Sequence, residues 1–319
     1  MDEERQIEKA KSIPLFDRPT GLIYHYTNQS GLLGILKKKQ IWASHIRFLN
    51  DTKEYFAGRF FIQRIVALMK EPEQADDEIT SMVGKLLVDL DSFDIYTASF
   101  SGSDRGDCLD LWRAYARTLP GYCIGFSAEL LGRSLHSKAT GLPQVSGLWR
   151  VHYVPELDEK YRIRQDLLWL PSLLRDAILH LKRTRVDDLI NSDKPFGDLV
   201  SELNKAVDDR AKIVMMLAFL LPLIKDEGFS SEQEYRIAHV RAEYKGTEHR
   251  KGIDFHAGLS SIIPHVAIDL PEEDFAIRRI VVGPCPYPVE AAKAVQMLLE
   301  SQNISGVEVV PSKIPYRNW

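Results

Sequence analysis

The sequence predicts an α+β fold, and three observations carry that reading. Short segments with aromatic and apolar residues at period two recur along the chain, among them "LIYHYT" (22–27), "FDIYTASFS" (93–101) and "SEQEYRIAHV" (231–240). Stretches with helical spacing lie between them. At the end, "RRIVVGP", "VEAAKAVQMLLESQ" and "VEVVPSK" form a β-loop-α-β unit.

The elements follow in order. Residues 1–20 read as a polar lead-in. The strand at 22–27 runs into a helix from about Gln29 to Lys39, with Leu32, Leu33, Ile35 and Leu36 on its apolar side and Asn28 or Ser30 as its cap. "IWAS" is a short strand. "LNDTKEYFAGRFFIQRIVALMK" is an amphipathic helix whose Asp51 and Glu54 have capping-box spacing. Residues 71–92 are acidic and read as helix with a loop. After the strand at 93–101, "SGSDRGD" is a turn-rich loop, "CLDLWRAYART" a helix, and "GYCIGFS" and "LWRVHYV" are strands. Residues 156–225 read as a helical insertion within a single domain spanning 1–319, ending in the apolar run "IVMMLAFLLPLI" (213–224). That run is too short to span a bilayer and reads as a buried helix. "SEQEYRIAHV" and "HVAIDL" resume strand character.

Composition excludes several classes. A 45% hydrophobic and 27% charged chain is an ordinary globular composition, and a net charge of −4 gives no overall attraction to nucleic acid. Cys108, Cys123 and Cys285 form no CxxC pair, which argues against a disulfide framework or a cysteine zinc site. The charged N-terminus lacks the apolar core of a signal peptide, so a cytoplasmic protein without membrane attachment is expected. Phosphate-loop, dinucleotide-fingerprint, nucleophile-elbow and HExxH patterns are absent, and no metal is expected.

What remains is polar residues at period two on three strands. A strand sends i and i+2 to one face. His25 and Thr27 therefore share a face, with Tyr24 and Tyr26 opposite. Ser99 and Ser101 share another, with Phe100 opposite. Glu232, Glu234 and Arg236 share a third, with Tyr235 and Ile237 opposite. Each set also has an ordinary explanation: a satisfied core histidine, solvated serines, a surface ion pair. Trp112 and Tyr115, three apart on a helix, fit a core as well as a stacking platform.

The order HxT strand, helix, SxS strand, ExE strand resembles the ADP-ribosyltransferase fold. The opening "YHYTNQSGLLGILKKKQIWAS" resembles the start of toxin-type, DNA-modifying and RNA-phosphotransferase branches of that fold. "YHYT", "FLNDTKE", "ASFS", "LDLWRAYARTLPGYCIGF", "EQEYRI", "RRIVVGP" and "SKIPYR", spanning 24–317, also resemble a bacterial domain-of-unknown-function family, number 2971. Thr52 stands where that family usually has Pro, and Phe229 where it often has Trp.

The transferase resemblance implies a mixed, mostly antiparallel β core with flanking helices. It implies NAD as substrate and a nucleic acid or protein as acceptor, in a toxin or phage-defence setting. Glu234 would stabilise the ribosyl oxocarbenium and Glu232 would position the acceptor. His25, Tyr26 and Thr27 would bind the ribose and phosphate side. Ser99 and Ser101 would brace the pocket, Trp112 or Tyr115 would stack on nicotinamide, and Arg113 would meet a phosphate. Independently of any family, a carboxylate against developing positive charge lowers the barrier to losing neutral nicotinamide.

Two other readings stand. One is a non-enzymatic nucleic-acid-binding or regulatory module using the basic cluster Lys182, Arg183 and Arg185. The other is a cation-dependent hydrolase using Asp51, Glu54 and His25.

Overall fold

A computed structural model describes residues 19–49, 54–68, 84–85, 87–91, 93–115, 120–136, 144–154, 214, 217–242, 252–258, 261–271 and 275–315. The fold is mixed α/β around an open, mostly antiparallel sheet. Its strands are β1 (Leu22–Thr27), β2 (Gln40–His45), β3 (Phe93–Ser101), β4 (Tyr122–Ser127), β5 (Gln144–Arg150), β8 (Glu234–Ala242), β9 (Ile253–Ala257), β10 (Ile262–Asp269), β11 (Ile277–Val282) and β12 (Glu308–Pro311). They run in the order β12-β11-β4-β1-β3-β2-β10-β9, with β8 joining β3 to β5. Two short strands, β6 (His152–Val154) and β7 (Ile224–Asp226), pair in parallel apart from it.

Alternation along the strands sorts the residues onto two faces. Ile23, Phe100, Ile124, Phe126, Ile237 and Ile280 lie on one face. Three helices cover it: α1 (Gln29–Lys38) through Leu32, Ile35 and Leu36, α4 (Ala128–His136) through Leu131, and α5 (Pro288–Ser301) through Val295 and Leu299. Helix α1 starts where expected, because the Asn28 carboxamide accepts from Gly31 N at 2.8 Å. On the opposite face Tyr24, Tyr26, Cys123 and Val281 pack under Leu111 and Trp112 of α3 (Leu109–Tyr115). Helix α2 (Glu54–Leu68) lies against β7 and the 3₁₀ turn Leu221–Leu223 that leads into it.

Several expectations change. The sequence reading carried helix to residue 225, but the chain leaves it for the 3₁₀ turn at 221 and then β7, where Pro222 withdraws a helical donor. Glu232 is not on a strand. It ends a 3₁₀ turn, Glu227–Glu232, and the left-handed Gln233 (φ 46°) turns the chain into β8 at Glu234. Strand β9 and helix α4 were not anticipated. Asp51, Thr52, the cluster 182–185 and the insertion up to residue 213 lie outside the described residues.

Candidate functional site

The three motif-bearing strands are neighbours. On one edge of β3 lies β8, paired along its whole length from Phe93–Ala242 to Ser101–Glu234. On the other edge β1 pairs at Tyr24–Ser101 and β2 at Ser44–Thr97 and His45–Tyr96. Tyr24, Ser101 and Glu234 thus stand in one row on one face.

Between the β1 and β2 contacts the β3 edge has no ladder partner among the described pairings, and there the His25 imidazole meets the Ser99 carbonyl, Nδ1 to O, at 2.9 Å. A carbonyl only accepts, so Nδ1 carries the proton. Burial pushes this imidazole's pKa down, and the Ser99 bond partly offsets it. The residue nevertheless keeps some accessible surface.

Glu234 anchors a buried ionic cluster. Arg236 donates from Nε to its Oε1 at 2.6 Å and from Nη2 to its Oε2 at 3.0 Å, while Nη1 bonds the Pro222 carbonyl at 2.7 Å. Lys225 Nζ donates to Glu234 Oε2 at 2.9 Å and to Glu232 Oε2 at 2.7 Å. The Ser99 hydroxyl also bonds the Glu234 carboxylate. Tyr153 accepts from Glu234 N at 2.8 Å, and Tyr115 donates to Glu232 Oε1 at 2.7 Å. Glu234, Arg236 and Lys225 are 3%, 1% and 3% exposed. Desolvation alone would raise the Glu234 pKa; the charges of Arg236 and Lys225 and the bonds from Arg236 and Ser99 outweigh it and hold it at about 2. Desolvation pushes the Tyr153 phenol up to about 12, so it stays protonated.

The expected site residues divide. Ser99, Ser101, Tyr115, Glu232 and Glu234 come together. Tyr115 (43% exposed) and Phe229 (39%), which lies under Lys225 Nζ at 4.8 Å, form the solvent side. His25 and Thr27 do not join them. Register places both on the helical face with Phe100 and Ile124, where His25 bonds the Ser99 backbone and stands against the Phe100 ring, and Thr27 sits over Gly31.

Tyr26 is on the Glu234 face but closed into the core. Its hydroxyl donates to the Arg105 carbonyl at 2.5 Å and accepts from Cys108 N at 3.1 Å, which fixes the 102–108 loop. Trp112 is core as well: its ring stands edge-on to Tyr26 at 4.7 Å and its Nε1 donates to Asp107 at 2.8 Å, so it offers no stacking face. Arg113 is exposed on α3.

The Glu234–Arg236 pair, read as a surface bridge, is instead buried. Lys225 and Tyr153 were not foreseen. Lys225 follows an apolar run and Tyr153 sits in a strand-like one, and neither context marks a residue that folds onto Glu234. Among the described residues no group of three or more His, Cys, Asp or Glu is placed to hold a metal, and no helix is long and apolar enough to cross a membrane.

A family model described as "Protein of unknown function (DUF2971)" matches residues 111–237, less than half of the 319-residue chain. The matched segment holds Tyr115, Lys225, Glu232, Glu234 and Arg236, and is narrower than the 24–317 span of the motif resemblance. No curated protein and no solved structure matches the chain.

Proposed function

We propose that the chain transfers ADP-ribose from NAD to a nucleic acid or protein, with the surface at Tyr115 and Glu232, backed by Ser99, Ser101 and Glu234, as the ribose side of the site. The observation that supports this most is the adjacency of the three motif strands, with Tyr24, Ser101 and Glu234 in one row. NAD carries its positive charge on the nicotinamide ring, and once Lys225 turns away from Glu232 that outer carboxylate, beside the Tyr115 ring, is left to face this charge.

In this reaction the bond between the ribosyl carbon and nicotinamide breaks, nicotinamide leaves as a neutral molecule with the electron pair, and an acceptor nucleophile attacks the cationic ribosyl centre and gives up its proton to solvent. Glu232 is the outer carboxylate (its side chain is 13% exposed, against 4% for Glu234), so it meets the ribose hydroxyls. Glu234 is a fixed negative charge behind it. Lys225 bridges both carboxylates and must release one before a diol takes its place; the dinucleotide's diphosphate gives it another anion to bind. His25 holds the β3 backbone through Ser99 and does not touch the ribose.

The test is incubation with NAD and measurement of free nicotinamide, with Glu232→Gln compared with wild type after circular dichroism confirms that both are folded. Release by wild type and at least a tenfold fall in the variant support the reading. No release, together with no NAD binding by calorimetry, sinks it, as does equal release by the two proteins.

A further inference from the structure

Strand β9 ends the sheet, and among the described residues nothing pairs with its outer edge. Its sequence is Ile-Asp-Phe-His-Ala. Phe255 is 60% exposed and Ile262, across the hairpin on the same face, 68%. Phe255 stands opposite Pro264. Proline has no N–H, so this is a pair without ladder bonds, and Phe255 turns its N–H and C=O away from β10. The outward N–H is taken by the neighbouring carboxylate, Phe255 N to Asp254 Oδ1 at 2.8 Å. An edge with outward main-chain groups and exposed apolar side chains is a template for another strand.

We propose that β9 pairs antiparallel with β9 of a second copy, about a two-fold axis through Phe255, so that two sheets become one. The strand is self-complementary only in that register. Phe255 then faces Phe255, Ile253 faces Ala257, and Asp254 faces His256 of the second copy. His256 has Nδ1 against His265 Nδ1 at 3.1 Å in its own chain; with His265 as the donor of that bond, the His256 proton sits on Nε2, which can donate to that carboxylate. A slip of one residue turns the apolar set to the wrong face. A slip of two puts Asp254 opposite Asp254, or His256 opposite His256. Pairing exchanges the Asp254–Phe255 N–H bond for a main-chain bond and frees the carboxylate for its cross-strand partner. A two-fold contact of this kind closes on itself and yields a dimer.

The test uses the full chain. Sedimentation equilibrium over a concentration series gives the oligomeric state, and Phe255→Lys weakens self-association by about tenfold or more, because the axis applies each change twice. The register is read by cross-linking on a Cys108→Ser background under a mild oxidant. Paired residues lie about 5.5 Å apart between Cα atoms, within disulfide reach. Phe255→Cys therefore gives a covalent dimer, Ile253→Cys alone does not, and Ile253→Cys with Ala257→Cys does. A protein monomeric throughout the series overturns the proposal, as does a dimer that survives Phe255→Lys while Phe255→Cys fails to cross-link. Phe255 is exposed, so these variants keep the fold, which circular dichroism checks.

Discussion

Replacing Glu234 with Gln keeps the shape of the side chain and removes its charge. The folded-state carboxyl titrates at about 2 against an ordinary 4.5. At ~1.4 kcal/mol per unit the charged form therefore contributes about 3 kcal/mol to stability at neutral pH. An independent consideration gives the same scale: removing one partner of a buried pair costs about 3–5 kcal/mol, because the others stay buried with less countercharge. In the variant Arg236 keeps the Pro222 carbonyl and Lys225 keeps Glu232, which places the expected loss at the lower end. The pKa is depressed on folding, so this stabilisation is complete above pH 4.5 and is lost as pH falls through about 2. At pH 3 less than half of it remains. Urea unfolding of both proteins at pH 7 and pH 3, followed by circular dichroism, measures the two differences. The gap is expected to be about 3 kcal/mol at pH 7 and to shrink by about 2 at pH 3. A variant within about 0.5 kcal/mol of wild type at pH 7, or a gap that ignores pH, would refute the buried ionic cluster.

Asp107 accepts from Trp112 Nε1, Ser312 Oγ and Lys313 N, so Asp107→Ala should cost at least ~2 kcal/mol and expose the segment after β12 to limited proteolysis. Gly147 lies under the Trp149 ring, which rests edge-on against Phe219; Gly147→Ala should overpack it, cost about 1–3 kcal/mol and lower Tm in a thermal melt. Asn28→Ala removes the α1 cap and should cost about 1 kcal/mol by urea titration. His239, desolvated and close to Arg241, is held at about 4, so its NMR ring signals should show no titration between pH 8 and pH 6 and move near pH 4. Movement near 6.5 would place it in water.

Local patterning made much of the sheet legible. β1, β3, β4, β8 and β11 alternate or carry dense β-branched and aromatic residues, and Asn28 signals the helix that follows. Strand β9 escaped notice because Ile253–Ala257 is short, half polar and at an edge, where no second layer demands an apolar pattern. The period-two reading placed Ser99 and Ser101 on one face and His25 and Thr27 on another within their own strands. It could not say which face of β1 aligns with which face of β3. That depends on register: Tyr24 opposite Ser101 puts the tyrosines, not His25, on the face that carries Glu234. Alternation runs through Gln233 and so puts Glu232 on the strand, and a left-handed residue that is not glycine has no mark in composition.

The ionic cluster decides how any loss of activity is to be interpreted. Glu234 has both oxygens occupied by cations and almost no exposure, so changing it disturbs the β3–β8 junction whatever chemistry the site performs. Glu232 differs: it ends a 3₁₀ turn, and its neighbours Tyr115 and Phe229 face solvent. Lys225 ties the two together, so Glu234 fixes the lysine and the lysine fixes Glu232. Substituting the inner carboxylate tests the scaffold and substituting the outer one tests the chemistry. Only a protein that loses nicotinamide release at Glu232 while keeping its unfolding midpoint has a reacting carboxylate there rather than a structural one.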